Sequence, residues 1–561
     1  MARLLATLLL CALPVQAATH VWVASESEKV RPFANVPFAP RTRIDLKAAG
    51  GECIGAQVVV RSDEHLRQLT AAADPLRSDV YPRIPLDLFR VDTIDLEHAT
   101  GPDGSAGEWP DALIPVRDPL WHEPRRAFPI ALPANHSQAV FVEVCPERGV
   151  RGTYRGAVEL RWKARKRAGR ATIPISLRMR AFDLPPTSTL VTAFGFSGYS
   201  AITGHKKPVE AAPELTRLYN TIALGRGITL SGGTQNPPDW SPAGEGVRID
   251  WTSYDAEVAP FLDGTALPSG ARWTSVEFRE WPKLTREQRK SWRRAWVEHF
   301  RARGWLDRLF IYVVDEPPVS EFPNVEKRAH EFLEDAPEVR RLVTTSYSTE
   351  LPSINLWCPT LNCLDVTWKV CTRPVPRTRY QSLWWYQACV SHACGPYPPR
   401  DRGEFLGWPS YSIDMPATAA RTMPWLAFAN GISGELYFDV VYGYHETDPW
   451  VSQWAFAGNG DGTLYYPGRV DRIGGKHDVP VESLRIVQIS RGLQDHAYLT
   501  LCARLGDPEF AQKEARAIAP SARGWARDPV AYEAARERLA ARIEKLSAGQ
   551  GAGALGLGRT E

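Results

Sequence analysis

Between His20 and about Pro186 the apolar and polar positions read as short strands separated by turns. Ile173, Ile175, Leu177, Met179 and Ala181 alternate with Pro174, Ser176, Arg178 and Arg180, the period of a strand with one buried face. Residues 139–144 and 57–60 are shorter runs of the same kind. Repeated strands punctuated by Gly and Pro predict an antiparallel β-sandwich. At Leu184-Pro185-Pro186 the pattern changes, and consecutive prolines suit a stiff linker. Beyond it helical and strand periods alternate. Thr285 and Gln288 form a T-x-x-Q capping box, followed by Trp292, Ala295, Trp296 and Phe300 at helical spacing, with Gly304 placed to close the helix. The next run, Leu309 to Val314, is apolar throughout, and residues 434–439 form a second strand-like run. Strands alternating with helices over about 300 residues predict a (β/α)8 TIM-like barrel, whose sites lie at the C-terminal strand ends. A closing helix is expected at Asp528-Pro529, with Asp as N-cap and Pro at the first helical position. The predicted division is a leader over 1–18, the sandwich over 19–186, the barrel over 187–510, a helical segment over 511–546 and a disordered Gly-rich tail over 547–561.

The leader reads as an export signal: Arg3 gives the positive start, residues 4–13 the apolar stretch, and Val15-Gln16-Ala17-Ala18 the small-residue cleavage site. A periplasmic or secreted chain is expected, with no transmembrane segment. Of nine cysteines, Cys11 leaves with the leader. Cys53 and Cys145 could pair across the sandwich. Cys358, Cys363, Cys371, Cys389 and Cys394 cluster, Cys502 stands apart, and their pairing stays open. No metal-ligand spacing is present and no cofactor is expected. A net charge of +3, with both signs dispersed, argues against nucleic acid as partner. The basic run at 163–170 reads as a solvated hairpin tip rather than an anion site. Twenty Trp and eighteen Tyr suit carbohydrate, although large cores account for many of them.

Chemistry concentrates at Asp315-Glu316. The pair ends the all-apolar run and precedes Pro317-Pro318, which cannot extend a central strand. Carboxylates there are costly unless the strand opens into a site, and two together suggest acid/base work on a neutral substrate such as a sugar.

Five motifs in order then carry a resemblance. They are Gly304-Trp305-Leu306-Asp307-Arg308 running into Tyr312-Val313-Val314-Asp315-Glu316-Pro317; Leu383-Trp384-Trp385-Tyr386-Gln387-Ala388-Cys389; Gly431-Ile432-Ser433-Gly434-Glu435-Leu436-Tyr437; Asn459-Gly460-Asp461-Gly462 with Tyr466-Pro467-Gly468; and Ser483-Leu484-Arg485 leading to Arg491-Gly492-Leu493-Gln494-Asp495. Over roughly residues 190–505 the chain resembles the catalytic region of glycoside hydrolase family 123. The resemblance implies an exo-acting, retaining β-N-acetylgalactosaminidase with substrate-assisted catalysis, acting on a glycan with a non-reducing terminal N-acetylgalactosamine. In such catalysis the substrate's 2-acetamido oxygen, not a second carboxylate, attacks the anomeric carbon.

On that basis Asp315 would orient the acetamido group and Glu316 would protonate the leaving oxygen. Neighbours on a strand point to opposite faces, so regular strand geometry must end between them, and Pro317 is expected to hold Glu316 extended. A raised acid pKa is expected from burial and the Asp315 charge. Tyr386 is the candidate hydrogen-bond partner of the acetamido carbonyl. Trp384 or Trp385 and Trp425 are candidates to wall the sugar, and Asp439 to bind its hydroxyls, with Tyr437 pointing the same way. Asn459 and Asp461 read as turn formers. The family often carries Trp and Asn after the Leu-Tyr of the late strand, where this chain has Phe438 and Asp439. Two alternatives stay open: a glycosidase of other sugar specificity on the same scaffold, and a non-catalytic glycan-binding protein.

Overall fold

The computed structural model describes residues 18–79, 83–101, 103–165, 167–233, 237–281, 283–364, 382–389, 407–456 and 458–549. Most of the leader, Cys371, Cys394 and residues 550–561 of the tail lie outside them.

The first ten strands form two five-stranded sheets. One has the spatial order Thr19–Ser25, Ile54–Ser62, His136–Val144, Asp87–Leu96, Gly107–Pro115, antiparallel throughout. The other runs Ile44–Gly50, Ala168–Asp183, Thr153–Lys163, Leu66–Ala73, Ile130–Leu132. Val58, Val60, Val140 and Val142 of the first sheet share a buried core with Leu69, Leu160, Ile173, Ile175 and Leu177 of the second, as the alternating pattern requires.

Two details depart from expectation. The pair Ile44–Gly50 and Ala168–Asp183 is parallel, so the second sheet is mixed. The register shifts between Met179 and Asp183, and such a shift moves side chains to the other face. Ala181 is therefore exposed and Phe182 buried. Cys53 and Cys145 form a disulfide, brought together by the register that sets Ile54 opposite Val144. Cys363 and Cys389 each take part in a disulfide, whereas Cys358 and Cys502 are free and buried. The basic run turns between paired Lys163 and Ala168, its described residues exposed except Ala164 and Gly169.

After Leu184 the main sheets are parallel, beside three antiparallel two-stranded pairs. One four-stranded sheet has the order Leu230–Gly233, Val191–Ser197, Gly434–Tyr437, Trp384–Gln387; the other has Val276–Glu277, Leu309–Val314, Arg340–Val343, Leu356–Trp357. Parallel bridges Trp357 to Leu383 and Thr360 to Tyr386 join the two. Where the sequence predicts one closed eight-stranded sheet, the described residues thus form two linked sheets of four. Strands two residues long at the seams, Val276–Glu277 and Leu356–Trp357, leave little ladder to share. Ala193, Phe310, Leu342, Leu356, Cys358, Trp384, Tyr386 and Leu436, drawn from both sheets or their ends, pack into one interior cluster.

Helices flank these strands as their periods predict. Thr285 caps the helix Arg286–Ala302 in a full capping box with Gln288. Asp528 accepts the Val530 amide at 3.0 Å ahead of the helix Pro529–Gly549. That helix, anchored by buried Leu539, Ala540 and Ile543, runs through Ser547 to Gly549, which were expected in the disordered tail. No helix among the described residues is long and apolar enough to cross a membrane.

The outer face of the first sandwich sheet packs on the second half of the chain. Trp22, Val59, Phe89 and Phe141 share a core with Phe194, Tyr437 and Leu484. Buried guanidinium groups bind the halves together. Arg226 pairs with Glu143 and Glu482, Arg491 with Glu26 and Glu143, and Arg485 with Asp111.

Candidate active site

The strand Leu309–Val314 lies between parallel partners on both sides. It stops at Val314, as Pro317-Pro318 demand, and the chain turns through Val319–Glu321 into the helix Phe322–Asp335. Asp315 and Glu316 therefore stand at the C-terminal end of a central parallel strand. Both are exposed, where burial was expected, because the ladder ends before them.

Glu316 is not extended. Its φ is +40°, a left-handed conformation that side-chain-bearing residues seldom adopt and that costs of order 1–3 kcal/mol. The bias set by Pro317 is overridden by a tertiary contact: the Glu316 amide donates to Thr344 Oγ1 at 2.7 Å. Regular strand geometry does end before the pair, but through a left-handed turn rather than an extended residue.

Each carboxylate has its own tyrosine. Tyr312 follows Phe310 on the inward face of the strand, and its hydroxyl donates to Asp315 Oδ1 at 2.6 Å. Burial, and then the Asp315 charge, push the Tyr312 hydroxyl far above its ordinary range, so it stays protonated and donates. Thr344, just past the strand Arg340–Val343, donates to the same Oδ1 at 3.0 Å. Glu316 is reached from a different strand: Tyr386, on Trp384–Gln387, donates to its Oε1 at 2.5 Å. The two acids are neighbours in sequence yet are held by groups from different strands. Tyr312 and Thr344 were not singled out by sequence reasoning. A hydroxyl in an apolar strand three residues before a carboxylate, and a Thr where the next strand ends, were the available signals.

Four expected sugar contacts are core instead. Trp384, Trp385, Trp425 and Tyr437 are each 0% exposed, so none offers a face to ligand. Trp384 points inward against Phe310, and a Cβ on Gly434 would meet its ring at 2.5 Å. Trp385, its neighbour on the strand, belongs to the large core with the helices. Trp425 lies in the helix Ala417–Asn430, donates to Asp495 at 2.9 Å and meets the edge of Tyr532. Tyr437 donates to Asp461 at 3.3 Å and accepts the Gly462 amide at 2.6 Å.

The strand ends at Tyr437, so Asp439 does not share that residue's direction. Asp439 is half-buried and accepts the Val441 amide at 2.6 Å; burial pushes its carboxyl up to about 7 against these backbone donors. Asn459 donates to the His98 carbonyl from the short strand Gly458–Asn459 rather than from a turn, and Asp461, in a turn as its Gly-rich setting predicts, accepts the Cys389 amide. Aromatic surface that does reach solvent beside this strand belongs to Phe438, Tyr442 and Phe456. Their rings are in mutual contact at 5.5, 4.9 and 5.9 Å. None of the three stood out in the sequence as a candidate.

Residues 277–502 match the family described as glycoside hydrolase 123, catalytic domain, a span that holds Asp315, Glu316, Thr344, Tyr386 and Asp439. No curated protein matches the sequence. Among solved structures, a family 123 glycoside hydrolase from Clostridium perfringens, described for glycolipid glycan hydrolysis, covers 95% of this chain and 98% of its own. Its TM-score is 0.65 at 11% identity, a likeness of fold. A GH10 xylanase with a bacterial Ig-like domain from termite gut covers 63% of this chain and 90% of its own at 9% identity and TM-score 0.26. The PapD-like domain of human CEP192 covers 32% and 97% at 11% identity and TM-score 0.16. With its carboxylate pair set at a strand end inside the matched span, this chain is a glycoside hydrolase whose residues 277–502 match the catalytic domain of family 123.

Proposed function

We propose that the enzyme is an exo-acting, retaining β-N-acetylgalactosaminidase that uses the substrate's own 2-acetamido group as nucleophile. The observation that carries this reading is the separate support of two adjacent carboxylates. Asp315, held by hydrogen bonds from Tyr312 and Thr344, is the acceptor that orients and polarises the acetamido N–H. Glu316, reached by Tyr386, is the acid that gives its proton to the leaving oxygen and, as base, takes one from water afterwards. A pair on consecutive residues suits a mechanism with one protein acid and an internal nucleophile better than one with carboxyl groups facing across a sugar, which stand about 5 Å apart or more. The Tyr386 hydroxyl is close enough to the pair to turn to the acetamido carbonyl once substrate displaces it from Glu316. Phe438, Tyr442 and Phe456 take the walling role first given to the tryptophans, since aromatic faces pack on the C–H surface of a pyranose.

The same reading sets the site at the mouth of a (β/α)8 barrel over residues 187–510, behind a sandwich over 19–186. Its support is that the parallel strands neighbour one another in chain order, and that the last pairs with the first. Export to the periplasm or beyond is proposed from the leader pattern and is consistent with the disulfides. A glycosidase of other sugar specificity is the second reading, favoured by Asp439 where the family often has Asn.

Chromogenic β-glycosides with 2-acetamido and 2-hydroxy groups, in galacto and gluco forms, decide between them. The proposal expects hydrolysis to require the acetamido group and to favour the galacto form, and a thiazoline mimic of the cyclic intermediate to bind far more tightly than substrate. Equal rates on the 2-hydroxy sugar would remove the substrate-assisted mechanism and leave a glycosidase of another kind.

A further inference from the structure

One hydroxyl touches both halves of the carboxylate pair. Thr344 is 3% exposed, fixed at the end of the strand next to the one that carries the pair. Its Oγ1 accepts the Glu316 amide at 2.7 Å and donates its single proton to Asp315 Oδ1 at 3.0 Å. Tyr312 Oη lies 3.2 Å away, with its own proton given to Asp315.

We propose that Thr344 is the positioning residue that sets the angle between Asp315 and Glu316 and so keeps their two roles apart. The backbone turn at Glu316, φ +40°, aims its side chain away from the direction a strand would give. The amide bond to Thr344 anchors that turn from a neighbouring element. The bond from Thr344 to Asp315 fixes the other carboxylate relative to the same point. Removing the hydroxyl frees both. Glu316 can relax toward the extended form that Pro317 favours, and Asp315 loses one of its two donors. Displacements of about 1 Å at such a site cost on the order of 100-fold in rate. This inference rests on the substrate-assisted reading for the names of the roles, but the coupling it predicts does not.

The test compares Thr344→Val, which keeps the shape, with Thr344→Ser, which keeps the hydroxyl. On aryl 2-acetamido glycosides Thr344→Val should lower kcat about 10- to 100-fold with KM changed far less, and Thr344→Ser should recover most of it. In a double-mutant cycle, Thr344→Val should cost much less in an Asp315→Asn background than in the wild type. Hydrogen exchange at the Glu316 amide should be faster in Thr344→Val and near wild type in Thr344→Ser, whether or not a good substrate is in hand. The inference is overturned by unchanged exchange, by a kcat within twofold of wild type, or by losses that simply add to those of Asp315→Asn. If the wild type hydrolyses a 2-hydroxy sugar equally well, the substrate-assisted mechanism falls, while exchange and the cycle, run on whichever glycoside is cleaved, still decide for or against Thr344.

Discussion

The hydroxyl of Tyr312 meets the carboxylate of Asp315 at 2.6 Å, and it does so from inside the cluster between the two parallel sheets. Phe310 and Tyr312 share the inward face of one strand, so the last interior layer also supplies a hydrogen bond to the carboxylate at the strand's C-terminal end. Tyr312→Phe removes that donor and little volume. A fall in kcat of about 10- to 100-fold is expected, with the thermal midpoint within a few degrees of wild type. A kcat unchanged in Tyr312→Phe would show that Asp315 does not depend on this bond.

The two carboxylates should separate by leaving group. Glu316→Gln removes the proton donor, so the loss should be severe for poor leaving groups and partial for an activated aryl group that departs unaided. Asp315→Asn leaves the acid in place and should cost about 10²–10³ for every leaving group, the size expected when a preorganised stabilising group is lost. Both side chains are exposed and both changes keep shape, so folding should be unaffected. The same leaving-group dependence in the two variants would contradict the assigned roles.

Arg226 should be among the costliest positions for stability. Its guanidinium spans Glu143 of the sandwich and Glu482 of the second half, all three buried. Arg226→Ala strips the buried Glu482 carboxylate of its guanidinium and leaves Glu143 to Arg491 alone, which costs about 3–5 kcal/mol. Urea titration measures it; a loss under about 1 kcal/mol, the range of exposed pairs, would mean that water reaches the site.

Stability should fall between acid and neutral pH. Burial raises the Glu435 carboxyl from 4.5 to about 7, opposed by the Tyr411 hydroxyl that donates to it, and Asp461 is likewise raised to about 7. A group whose folded pKa lies above its unfolded one stabilises fully below the unfolded value and loses that contribution as pH rises through the folded one. The window is thus pH 4.5 to 7, worth about 3 kcal/mol for Glu435 at about 1.4 kcal/mol per unit. Glu435→Gln, neutral at every pH, should flatten the slope of the urea midpoint between pH 5 and 8 without abolishing it. An unchanged slope would place the titration elsewhere.

Local patterns were legible in the sequence because they depend on neighbours along the chain. The Thr285 to Gln288 box, the Asp528 cap, the alternation from Ile173 to Met179 and the strand Leu309–Val314 with its terminal carboxylates are of this kind. What failed depends on neighbours across it. Ala181 changes face because a bulge intervenes, and Glu316 turns left-handed because a threonine from the next strand takes its amide. Trp384, Trp385 and Trp425 show the limit most plainly. An indole is large enough to fill a core and polar enough to edge a site, and only the packing around it, such as Gly434 against Trp384, says which. Thr344 could be found only from the strand register that sets it beside the pair.

The buried arginines give the sandwich a meaning beyond attachment. Arg485 and Arg491, on the long helix that closes the catalytic half, find Asp111, Glu26 and Glu143 on strands or turns of the N-terminal half, and the apolar core runs unbroken across the same boundary. A catalytic half made alone would therefore expose apolar surface and leave the buried Arg485 and Arg491 without their carboxylates. The sandwich cannot be traded for another module, as an appended binding domain can. It folds, and unfolds, together with the chemistry.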